Sequence, residues 1–180
     1  MKKLIFFLSI LFISKSIQAQ EWTWMKGTDT LTKPGIYGTM GVASPSNNPG
    51  ARHGAATWVD NNGDLWLFGG EGVTTNTVLC WLNDLWKYTV STGNWTWMGG
   101  SNLANQNGIY GTLGVPSTTN IPGAREFMMY WTDASGNFWM FGGEGFPEVG
   151  GIGGLNDLWR YNPTTNEWTW MHGSNVTDDP

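Results

Sequence analysis

DLWLFGG, residues 64–70, returns as NFWMFGG at 137–143. Apolar side chains stand at consecutive positions in both copies, so a strand here carries them on both of its faces. The glycine pair that closes each copy lets the backbone leave the strand at angles other residues avoid. The copies lie 73 residues apart, and the same offset links Trp22, Trp95 and Trp168, Gly50 and Gly123, Arg52 and Arg125, and Asp84 and Asp157. GIYGTMGV (35–42) likewise returns as GIYGTLGV (108–115), with no gap anywhere. A register this strict means that one structural unit is copied, loops included.

Each unit holds four strand-like segments. RHGAATWV (52–59) matches REFMMYWT (125–132), and the quoted segment comes second. NDLWKY (83–88) matches NDLWRY (156–161), and NWTWM (94–98) matches EWTWM (167–171). Turn signals follow the first strand (DNNG, 60–63; DASGN, 133–137) and the third (STGN, 91–94; PTTN, 163–166). The 13 tryptophans and 26 glycines suit many short strands joined by tight turns, and no stretch shows a helical period. A sheet with one wet face would alternate apolar and polar residues. These sheets are apolar on both faces, so each must sit between neighbours, as radially stacked blades do.

The order of a leading arginine, LWLFGG, LNDLWKY and NWTWM resembles the kelch repeat and, through it, the galactose oxidase-like propeller superfamily. The resemblance covers 50–98 and 123–171, with a fragment at 22–25. It implies an all-β fold with two complete four-stranded antiparallel blades plus one extra N-terminal strand, an incomplete kelch-type β-propeller. The unit of 73 residues exceeds the ~50 of a kelch repeat, mainly over 99–122. Kelch propellers commonly close with a strand from one terminus completing a blade begun at the other. Here residues 22–25 would supply a fourth strand, yet each blade already has its own. The tail 171–180 parallels 98–107 and stops just before the GIYG expected at 181. The expectation is therefore a segment truncated from a longer propeller, with a short chain whose copies form a ring as the alternative. Open outer faces and unpaired edges predict self-association.

Residues 1–19 have the layout of a secretory signal peptide: Lys2 and Lys3, an apolar run at 4–13, and the small residue Ala19 at the cut. The run is shorter than the ~20 residues that span a bilayer. Residues 20–180 are then the mature propeller segment, secreted or at the cell surface (periplasmic or extracellular), with no membrane attachment after cleavage. A net charge of −5 argues against nucleic-acid binding. Cys80 is the only cysteine, so no intrachain disulfide forms and the core must hold the fold.

Strand alternation sends the long connections, 69–82, 142–155 and the segments carrying GIYGT, to one rim. That rim is the candidate binding surface, with Tyr37, Tyr110, Trp81, Glu71 and Glu144, and Arg52 and Arg125 near its entrance. Aromatics beside carboxylates suit a sugar or a peptide. Because the tyrosines recur in both units, a role as anchors that pack the GIYGT segment on its blade fits them better. Arg52 with Glu71, and Arg125 with Glu144, recur as pairs and are expected to form structural salt bridges. No catalytic residues and no cofactor are expected. Asp60, Asn62, Asp64 and Glu71 mimic a calcium loop, but its glycine position is Leu65, and a hairpin turn at Asn62-Gly63 explains the letters. His53, His172 and Cys80 fail to recur and show no ligand spacing, so no metal site is expected. The functional expectation is an exported scaffold that binds a protein or glycan ligand. The alternative is a non-catalytic part of an extracellular enzyme, galactose oxidase-like or otherwise carbohydrate-active, whose active site lies in other blades.

Overall fold

The computed structural model describes residues 21–75 and 78–177. The signal-peptide expectation lies outside the described residues. The first repeat contributes β1 (Arg52–His53), β2 (Ala56–Val59), β3 (Leu65–Phe68), β4 (Glu71–Val73), β5 (Leu79–Trp81), β6 (Leu85–Thr89) and β7 (Asn94–Gly99). The second contributes β8 (Arg125–Glu126), β9 (Met129–Thr132), β10 (Phe138–Gly145), β11 (Gly153–Asn162) and β12 (Glu167–His172). The fold is all-β, with no helix among the described residues. Three antiparallel sheets form: β2-β3-β6-β7, the smaller β1-β4-β5, and β12-β11-β10 with both β9 and β8 paired to β10.

The ladders repeat with the sequence. Trp58 pairs with Trp66 and Trp131 with Trp139; Trp86 pairs with Trp97 and Trp159 with Trp170. The expected first strand is broken in both repeats. Gly54 (φ +64) divides β1 from β2, and Phe127 (φ +55) divides β8 from β9. The break answers the glycine pair on the facing strand, where Gly69 and Gly70 turn the chain between β3 and β4. The partner strand turns at the same level, through a left-handed residue in each repeat. The expected long loop at 69–82 is largely the β4–β5 hairpin, with Gly72 opposite Cys80. Residues 22–25 form no strand, and Trp22 and Trp24 are exposed. In each main sheet the place of a fourth strand is already taken, by β7 and by β12.

Packing between the main sheets is directional. Trp66 and Phe68 of the first face Phe138, Tyr161 and Trp168 of the second. Trp58 stacks on Phe138 at 5.2 Å with rings 8° apart, and its indole donates to the Trp131 and Trp139 carbonyls. Phe138 and Met140 are the repeat equivalents of Leu65 and Leu67. One face of a repeat therefore packs on the opposite face of the next. The faces left over are the homologues of the faces already joined: Leu65 on one side, Met129, Trp131 and Phe141 on the other, all exposed. Burying aromatics of this size supplies most of the stabilisation, at about 25 cal/mol per Å² of apolar surface.

Candidate functional site

Each repeat ties itself together around a buried aspartate. Asp84 accepts two hydrogen bonds from the Arg52 guanidinium, at 2.6 and 2.8 Å, one from the Tyr37 hydroxyl at 2.7 Å and one from the Trp86 indole at 2.7 Å. Arg52 also donates to the Gly50 and Gly69 carbonyls. The second repeat copies this with Asp157, Arg125, Tyr110 and Trp159, and Arg125 donates to the carbonyls of Gly123 and Gly142. A bidentate pair with its remaining valences satisfied is the arrangement that lets opposite charges be buried. Burial opposes the charged form of Asp84, but the Arg52 charge and the hydrogen bonds from Arg52, Trp86 and Tyr37 outweigh it and hold the carboxyl below its usual range. Asp157 is depressed in the same way, burial being outweighed by Arg125. Burial, then the neighbouring aspartate, pushes the Tyr37 hydroxyl far up.

These clusters overturn the expected Arg52–Glu71 and Arg125–Glu144 salt bridges: the arginines pair with Asp84 and Asp157. Asp84 immediately precedes β6, its carbonyl accepting from the Gly69 amide at the glycine corner, and Asp157 lies on β11 beside β10. Four of the seven rim candidates, Tyr37, Tyr110, Arg52 and Arg125, thus lie inside the scaffold. They join the GIYG segment, the first strand, the glycine corner and the NDLW strand.

The other three take different places. Glu144 is exposed on β10, opposite Glu126 in the ladder. Glu71 and Trp81 are half-buried neighbours across the β4–β5 hairpin. The second repeat joins them at a seam, where Gly70 N–H donates to the Arg125 carbonyl, Arg125 N–H to that of Leu82, and Phe127 N–H to that of Gly54. This stitching carries Glu126 across to the first repeat, where its Oε1 accepts from the Trp81 indole at 3.2 Å. His53 Nε2 lies 3.4 Å from Glu71 and 3.6 Å from Glu126. The result is a cluster of one imidazole, two carboxylates and an indole at the surface of the seam. Glu126 and His53 were missed as partners because each was compared with its own repeat counterpart, and they are that counterpart: the seam brings position 53 of successive repeats together.

The mimicked calcium loop is a turn. Asp60 accepts from the Asn62 and Asp64 amides and the Trp66 indole, and Lys87 lies between Asp60 and Asp64. Glu71 sits in another sheet. A second concavity, an apolar cleft of about 560 Å³, opens between β2 and β9, lined by Trp58, Val59, Trp66, Tyr130 and Trp131 among others.

No family model matches the chain, and no curated protein matches it. Among solved structures it is similar to one described as "Structure of YjhT", with 16% identity over 72% of this chain and a TM-score of 0.48. The chain covers 39% of that structure, about two fifths of its length.

Proposed function

We propose that this chain is exported and works as a non-catalytic, glycan-binding scaffold, built as two adjacent blades of a kelch-type propeller. Face-to-opposite-face packing at a fixed repeat offset is the arrangement by which blades follow one another around a hub. The observation that carries the binding role is the seam cluster. There a half-buried indole, in edge contact with Phe146 at 6.0 Å, stands beside two carboxylates on rigid strands. An aromatic surface with a few fixed acceptors is the chemistry that holds a sugar ring and its hydroxyls. A glycan array probed with the intact chain tests this. Binding to a defined glycan class, weakened at least tenfold in Trp81→Ala, is expected. Retention of a protein but no glycan would move the reading to a protein ligand, and chemical change of a bound sugar would move it to part of an enzyme.

The two outer faces take a further sheet of the same kind, because each is the homologue of a face already joined to one. A second copy of the chain supplies such a sheet, in head-to-tail contact. Sedimentation is expected to show association that rises with concentration and weakens in Phe141→Lys; a monomer at every concentration would contradict it.

A further inference from the structure

We propose that His53, Glu71 and Glu126 bind a first-row divalent cation such as zinc or manganese. The proposal rests on the same seam cluster as the glycan reading, but not on any glycan. One ligand atom from each of the three residues lies within 4.8 Å of the others. Ligands about 2.0–2.2 Å from a tetrahedral ion stand roughly 3.3–3.6 Å from one another. The separations of 3.4 Å from His53 to Glu71 and 3.6 Å from His53 to Glu126 therefore suit an ion held between them.

Glu126 is the second, independent observation. Its side chain is only 9% exposed, yet its Oε2 has no hydrogen-bond partner among the described residues. A buried carboxylate oxygen without a donor is costly, and a cation among these three groups removes that cost. The other oxygen accepts from the Trp81 indole, which fixes the carboxylate so that Oε2 faces His53. Outer partners of this kind orient metal-binding carboxylates. Phe127, next in the chain, lies against the His53 ring at 6.0 Å.

The donor set selects the class of ion. One imidazole nitrogen with two carboxylates suits zinc, manganese or nickel, whereas calcium and magnesium prefer oxygen alone. The His53 side chain is 57% exposed, so the solvent side of the ion stays open to water or to an oxygen of a bound ligand. The site also belongs to the seam alone: the repeat counterparts of Glu71 and Trp81 are Glu144 and Gly154, and the next position equivalent to His53 is Glu126 itself.

Titration calorimetry of the chelator-treated, full chain with zinc chloride and with manganese chloride, without glycan, tests the site. One ion per chain is expected, with an affinity at least tenfold weaker in Glu126→Gln and in His53→Ala. His53 is exposed enough for its variant to fold, which circular dichroism checks. His172→Ala is expected to bind as the wild type does. Absence of binding, or binding that survives loss of His53 or follows His172, would overturn the proposal. Glycan binding measured in the presence of chelator separates its failure from failure of the glycan reading.

Discussion

Arg52 and Arg125 hold equivalent partners at matching distances, while the residues that follow them, His53 and Glu126, share no chemistry. The first pair of positions builds the same buried knot twice. The second pair meets across the seam and makes something found in neither repeat alone. In a chain copied at a fixed offset, what recurs describes the scaffold, and what fails to recur, when the fold brings it together, is where a candidate site is to be sought. The comparison also grades burial. The Arg125 side chain is fully buried, that of Arg52 is 6% exposed, and the two sheets leave opposite faces uncovered.

The largest effect is expected at the knots. Asp157→Ala leaves a buried guanidinium without its partner and is expected to lower unfolding stability in urea by about 3–5 kcal/mol. Asp84→Ala should cost slightly less, since Arg52 has some access to water. A neutral Asp84→Ala would break the equivalence of the repeats. Next come the equivalent tryptophans. Trp168 is 5% exposed and packs on Phe68, Trp159 and Tyr161, so Trp168→Ala should cost about 3 kcal/mol. Trp95 stands on the uncovered face and is only partly buried, and Trp95→Ala should cost about half as much. Equal costs, read from urea midpoints, would mean that both faces are covered in solution.

Acid tests the knots together. Asp84 and Asp157 have folded-state values depressed below the ordinary carboxyl value of about 3.9. Their contribution is therefore complete above that value and is lost as pH falls through the depressed ones. Thermal melts are expected to be flat down to about pH 5 and to fall steeply below about pH 4. The smallest effect belongs to Asp133, whose carboxyl is lowered to about 2 by hydrogen bonds from the Trp139 indole, from Asn137 and from the Ser135 amide. Asp133→Asn should flatten the acid limb slightly, since it removes one carboxyl whose folded-state value is depressed.

Much of the scaffold could be read from the letters because its signals are local and doubled. LWLFGG and NDLW mark strands and turns, and their offset of 73 residues defines the repeat. Phe127 gave no hint of its left-handed turn, which comes from the glycine pair on the facing strand. The aspartate partners were missed for a similar reason. Asp84 lies 32 residues from Arg52 along the chain and Glu71 only 19, but Glu71 stands opposite His53 in the β1–β4 ladder and so shares the face of His53, not that of Arg52. Trp81 and Glu71 could be picked out as candidates from the sequence, but their meeting with His53 and Glu126 depends on docking between repeats, which no single repeat encodes.

The directional docking of one repeat on the next is read most directly by proton NMR of the Trp58 indole. Stacking on Phe138 at 5.2 Å and a hydrogen bond to the Trp131 carbonyl at 3.1 Å predict ring-to-ring nuclear Overhauser contacts with Phe138 and an indole N–H slow to exchange. A rapidly exchanging Trp58 N–H with no contact to Phe138 would mean that the two sheets do not pack face to face in this way.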